Sequence, residues 1–269
     1  MSHAIYHVDA FTDSPFAGNP AAVCLITGEL DDDWLQAVAT EMNLSETAFV
    51  RPIPGGFELR WFTPAAEVEL CGHATLAAAH VLWEQQLMGA EKPIAFKTRH
   101  RGVLHCELDA ESGLIAMDFP ADPPAVAEPV AGLIEALGVE PVTVLRSRYD
   151  WVVEVEDSAA VREARPNMLA LMDIDARGVG LTARGGEADE ADFVSRFFAP
   201  RLRIDEDAVT GSLHCVLGPY WRRMLGKDVM DAAQLSQRGG RLRVAMREGD
   251  ERVALAGRAV TVTVGQLLV

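Results

Sequence analysis

Polar and apolar positions alternate with a period of two through several short stretches of this chain, and helical spacing is confined to a few others. Residues 5–11 and 21–26 read as strands, separated by the loop Asp13-Ser14-Pro15-Phe16-Ala17-Gly18-Asn19-Pro20. Residues 31–42 place Trp34, Leu35, Val38, Ala39 and Met42 on one helical face behind leading acids, which suit a helix start. Strands are predicted at 46–50 and 57–62, then a buried helix over the alanine- and leucine-rich 75–85, opened by Gly72. Residues 94–98, 102–108 and 113–119 alternate like antiparallel strands. The proline-rich stretch 120–129 reads as a linker.

Beyond it, the pattern predicts a short helix at 130–137, strands at 142–145 and 151–155, and a helix over 159–172 broken by Pro166. Strands follow at 179–182 and 192–198, and an alternating tail over 242–264. The acidic run 187–192 reads as a solvated loop.

An internal repeat organises these elements. The first copy runs Trp61-Phe62-Thr63-Pro64, then Cys71-Gly72-His73-Ala74, then an apolar helix. The second runs Phe197-Phe198-Ala199-Pro200, acids up to Asp207, then Thr210-Gly211-Ser212-Leu213. Both copies read strand, aromatic pair, proline loop, glycine, helix. The chain therefore divides into similar halves, 1–119 with a final strand at about 258–269, and 120–257. A two-fold arrangement of such halves puts the helix starts across one cleft.

Composition narrows the function. Forty acidic residues against 24 basic ones give a formal charge of −16, which repels nucleic-acid phosphates and anionic membranes. The four cysteines form no Cys-x-x-Cys pair, so free thiols in a reducing compartment are expected. The start has no basic segment followed by an apolar core, and no stretch of about 18 uncharged apolar residues occurs. A cytoplasmic location is expected.

The glycine-led helix starts carry the candidate chemistry. Free N–H groups and the helix dipole bind anions there, and glycine admits close approach. Two such ends would clamp a carboxylate and stabilise the enolate-like charge formed when the neighbouring carbon loses a proton. The competing explanation is that each glycine only permits a tight turn. Proton abstraction needs a base, and Glu46, His73, Asp207 and the Cys71 thiol are the candidates. A symmetric two-thiol scheme fails because Thr210 stands opposite Cys71. His73 and His80 are seven residues apart, but no third ligand is suitably spaced, so no metal is expected.

The segments 11–23 (from Phe11-Thr12-Asp13 to Asn19-Pro20-Ala21-Ala22-Val23), Asn43-Leu44-Ser45-Glu46-Thr47-Ala48-Phe49, Cys71-Gly72-His73-Ala74-Thr75, Asp205 to Ser212 and Gly257-Arg258-Ala259-Val260-Thr261 occur in order along nearly the whole chain. Together they resemble the phenazine-biosynthesis PhzF-like isomerase/epimerase family. The resemblance implies a mixed α+β, diaminopimelate-epimerase-like fold. Each of its two pseudo-symmetric domains is a curled, mostly antiparallel sheet around a central helix, with the active site between them.

It also implies a homodimer, no cofactor and a proton shift on a small carboxylate-bearing substrate. In the best-understood member that substrate is trans-2,3-dihydro-3-hydroxyanthranilate. By this resemblance Glu46 shuttles the proton, His73 and Asp207 orient the substrate, and Ser45, Gly72, Thr210, Gly211 and Ser212 contact its polar groups. Family members often carry a proline after that aspartate, where this chain has Ala208. Two other classes compete: a non-catalytic carboxylate-binding protein of the same fold, and a racemase using the Cys71 thiol.

Overall fold

A computed structural model describes residues 2–29, 31–248 and 251–268. Met1 and Val269, the outer bounds of the expected halves, and Gly249 and Asp250 in the expected strand tail lie outside the described residues. The chain forms two compact units, Met1–Asp118 with Ala256–Val269, and Phe119–Leu255.

The first unit contains β1 (His3–Ala10), β2 (Asn19–Leu25), α1 (Asp32–Met42), β3 (Glu46–Ile53), β4 (Gly56–Phe62), β5 (Glu67–Val68), α2 (Gly72–Glu84), β6 (Ile94–Lys97), β7 (Val103–Asp109) and β8 (Leu114–Pro120). The α1 helix starts where the sequence predicts, because the Asp31 carboxylate accepts from the N–H groups of Asp33 and Trp34. It ends on Asn43 in the left-handed region. Its apolar face, Leu35, Val38 and Ala39, packs on Cys24, Ile26, Phe49 and Phe62.

Helix α2 is different, being apolar on every side and buried from His73 to Val81 except at His80. Such a helix needs walls all round. Strands β1, β2, β3 and the final strand Ala259–Leu267 provide them. That final strand pairs antiparallel with β1, from His3 opposite Leu267 to Ala10 opposite Ala259.

The second unit contains β9 (Ala125–Val126), α3 (Leu133–Leu137), β10 (Thr143–Arg146), β11 (Asp150–Glu154), α4 (Ser158–Glu163), α5 (Met168–Leu171), β12 (Gly178–Arg184), β13 (Phe193–Ala199), β14 (Ile204–Asp207), α6 (Gly211–Leu225), β15 (Val229–Gln234), β16 (Gly240–Arg247) and β17 (Arg252–Gly257). Pro166 falls between α4 and α5 and splits the single predicted helix in two.

The repeat extends to the hydrogen-bond ladders. In the first unit β1–β2 is antiparallel, β2–β3 parallel, β3–β4 antiparallel and β4–β6 parallel, with α2 as the last crossover. In the second, β10–β11, β11–β12, β12–β13 and β13–β15 repeat that order, with α6 as the last crossover. Each unit is thus a mixed α+β layer whose central helix follows the same strand.

Two expectations need correction. The acidic run is not simply solvated. Asp189 is buried, accepting from Arg162 at 2.5 Å and from the Gly186 N–H at 2.8 Å. Asp192 pairs with Lys227 and accepts from the Asp231 N–H. These carboxylates fix the turn between β12 and β13, which composition alone does not reveal. Strands β14 and β15 carry no clear alternation and are absent from the predicted pattern.

Candidate functional site

Glu46 opens β3, and Ser45 precedes it. Cys71 is the N-cap residue of α2, and His73 lies in its first turn. The local chain is held firmly: Thr75 donates both its N–H (3.1 Å) and its hydroxyl (2.6 Å) to the Cys71 carbonyl. Parallel pairing of β2 with β3 sets Glu46 beside Ala21. The Ser45 hydroxyl donates to the Pro20 carbonyl at 3.0 Å and lies 3.5 Å from Asn19 Oδ1.

These elements bring four side chains together. His73 Nε2 lies 3.3 Å from Ser45 Oγ and 3.2 Å from Glu46 Oε2, and His73 Nδ1 lies 3.5 Å from Cys71 Sγ. His73 Nε2 faces both Ser45 Oγ and Glu46 Oε2.

The charges follow from this geometry. Burial raises the Glu46 pKa, but the His73 charge and the neighbouring polar hydrogens outweigh it and hold the carboxyl below its usual range. Burial opposes the His73 imidazolium, yet the Cys71 sulfur and Glu46 carboxylate beside it raise its pKa well above 6.5. Burial, reinforced by Glu46, pushes the Cys71 thiol up. Glu46 and His73 thus favour each other's charged forms. His80 turns elsewhere, toward Glu84 and the Thr261 hydroxyl.

The other expected residues lie in the second unit. Thr210 is the N-cap of α6, and its hydroxyl donates to Asp207 Oδ2 at 2.6 Å. Asp207 thus holds the cap residue. Ser212 is exposed. Gln234 is a residue that sequence reasoning missed. Fully buried, it accepts from the Thr210 N–H (2.9 Å) and donates to the Asp207 carbonyl (2.8 Å) and Thr210 Oγ1 (3.1 Å). No motif marks it, because it sits on the unpredicted β15.

The tight-turn explanation for the glycines fails. Neither Gly72 nor Gly211 has a positive φ. A Cβ on Gly211 would meet only Leu255 Cδ1, at an ordinary 3.6 Å. The protein itself does not demand glycine at 211.

The chain thus combines a two-unit α+β fold with a carboxylate–imidazole pair beside a glycine-led helix start. The chain matches the family model of the phenazine biosynthesis-like proteins over residues 8–265 and belongs to that family. It is 47% identical, over 100% of its length and 99% of the relative's, to an uncharacterized isomerase of Halalkalibacterium halodurans. It is 40% identical to a phenazine biosynthesis-like domain-containing protein of Homo sapiens, covering 99% of each.

Among solved structures, a PhzF-family protein of Enterococcus faecalis matches with a TM-score of 0.93 and 38% identity over 100% of both chains. A hydroxyproline epimerase of Agrobacterium vitis shares the fold at 12% identity, with a TM-score of 0.63 over 99% of this chain and 92% of its own. The family and these relatives support an isomerase- or epimerase-type function. No helix among the described residues is long and apolar enough to cross a membrane.

Proposed function

We propose that the protein is a cofactor-independent isomerase or epimerase that moves a proton on a small carboxylate-bearing substrate, with Glu46 as acid and base. The observation that carries this reading is the Glu46 carboxylate, whose Oε2 lies 3.2 Å from His73 Nε2 and which the imidazolium holds ionised. An oxygen in that state has a lone pair to offer a substrate proton.

The low pKa of Glu46 shapes the mechanism. It is a weak base, so the abstraction step has to be eased from the substrate side. N–H groups at the helix starts of Gly72 and Gly211 would stabilise charge developing on the substrate's carboxylate or carbonyl. Once protonated, Glu46 is a correspondingly strong acid and returns the proton readily, to another carbon or to the opposite face. His73 offsets the carboxylate charge throughout. Asp207, Thr210 and Ser212 are proposed to orient the substrate, with Gln234 as a positioning residue behind them. The family resemblance also carries a homodimer into this reading.

The test is proton exchange in heavy water with a panel of amino acids, hydroxy acids and dihydroaromatic acids. A true substrate exchanges, and Glu46→Gln lowers the rate by about 10²- to 10⁴-fold. Cys71→Ser keeps most of the exchange, whereas a thiol racemase would lose it. Exchange unchanged in Glu46→Gln rules out the proposed base. A ligand bound tightly with no exchange across the panel would instead mark a non-catalytic carboxylate binder.

A further inference from the structure

Each central helix begins at a carbonyl that takes two donors from a single residue. In α2 the Thr75 N–H (3.1 Å) and the Thr75 hydroxyl (2.6 Å) both donate to the Cys71 carbonyl. In α6 the His214 N–H (3.3 Å) and the His214 Nδ1–H (2.8 Å) both donate to the Thr210 carbonyl. In both helices the carbonyl belongs to the N-cap residue, and the double donor stands four residues later. The main-chain bond is the ordinary first rung of a helix. The side-chain bond is additional, and the two units make it with unlike residues, both fully buried.

The His214 ring is held in the form that donates. A carbonyl only accepts, so Nδ1 carries the proton. Nε2 then faces the Ser195 hydroxyl, at 3.5 Å, as the acceptor. Burial brings the pKa of His214 down to about 4, so the ring is neutral at neutral pH and keeps this arrangement.

The consequence falls on the next N–H. The Cys71 carbonyl and the Gly72 N–H share one peptide group, and so do the Thr210 carbonyl and the Gly211 N–H. Hydrogen bonds on the oxygen draw electron density through the delocalised C–N bond and leave the N–H more positive. Deeper in a helix that N–H serves another carbonyl, but the first N–H groups have no intrahelical acceptor.

We propose that Thr75 and His214 are positioning residues for proton transfer. Each polarises the glycine N–H at its helix start and strengthens that donor as charge builds on the substrate. The catalytic half rests on the reading of the helix starts as donors to that charge. The polarisation half does not. Losing a whole donor of this kind costs about 10²- to 10³-fold in rate, and one added hydrogen bond strengthens its neighbour by about 10–30%. Each side-chain bond is therefore worth about two- to eightfold in kcat. KM changes less, because the charge is largest in the transition state.

Thr75→Val keeps the shape and removes only the hydroxyl, and the Cys71 carbonyl retains its main-chain donor. His214→Leu removes the ring donor, and His214→Asn returns a side-chain N–H. In protein labelled with ¹⁵N-glycine, Thr75→Val is expected to move the Gly72 amide resonance upfield and leave that of Gly211 in place. His214→Leu does the converse, and Thr75→Ser and His214→Asn restore the positions. With the substrate that the heavy-water panel identifies, kcat falls by about two- to eightfold in Thr75→Val and in His214→Leu. The losses multiply in the double variant, and the Ser and Asn variants recover most of the rate. Glycine amides that stay in place overturn the polarisation. Amides that move while kcat is unchanged overturn its part in catalysis. If no panel member exchanges, the proton-transfer reading fails, and the glycine resonances still decide the polarisation.

Discussion

At the scale of single residues, the site depends on how one ion pair is shared. Glu46 is depressed below its ordinary 4.5, so the stability it adds is present above that value and lost as pH falls through its folded pKa. His73 is raised above its ordinary 6.5, so its contribution is complete below that value and lost as pH rises through its folded pKa. The pair therefore stabilises the fold most between about pH 4.5 and 6.5. The difference in urea midpoint between wild type and a Glu46→Gln, His73→Gln double variant is expected to peak there and shrink on both sides. A flat difference across pH would show that the pair is not ionised.

Gly211 gives a second residue-scale prediction, since its backbone tolerates a side chain. Gly211→Ala should fold as well as wild type, or be more stable by about 0.5–1 kcal/mol. Its KM is expected to rise roughly tenfold, the equivalent of about 1.4 kcal/mol of lost anion contact. Circular dichroism melting and steady-state kinetics separate the two effects.

At the scale of elements, periodicity showed what it physically encodes. The α1 helix was legible because one face is wet and the other dry, and Asp31 caps it. Helix α2 was legible from its unbroken apolar run. Strands β14 and β15 were not, because what places them is distant: parallel pairing of β15 with β13, and a Gln234 amide that reaches back across 24 residues to Thr210.

Helix α6 shows a similar limit. Pro219 lies inside it and cannot donate to the Cys215 carbonyl, so the Asp122 N–H takes that carbonyl at 3.0 Å. The helix survives a residue that local rules treat as a breaker because the proline-rich linker supplies the missing donor. The role of Gln234 is testable: Gln234→Leu strands the buried Thr210 N–H and should cost about 1–3 kcal/mol in chemical denaturation. Loss of the N-cap position should raise KM more than it lowers kcat. An equal fall in kcat would place Gln234 closer to the chemistry than its contacts indicate.

At the scale of the whole molecule, the order of the motifs made the family legible. The residue pairs that matter chemically were legible only as candidates. Glu46 and His73 are 27 residues apart, and nothing in their spacing states that they touch.

The last strand has a consequence for synthesis. The second unit is one continuous stretch, Phe119–Leu255, whereas the first is assembled from both sides of it, with β1 pairing Ala259–Leu267. On a ribosome, the later-coded unit can complete its own ladders while β1 still waits for its neighbour. Nascent chains arrested beyond Leu255 should show protease-resistant 119–255 and a cleavable amino-terminal part. Joining His3 to Leu267, which pair in the sheet, by a short linker and opening a surface turn elsewhere should reverse which unit matures first.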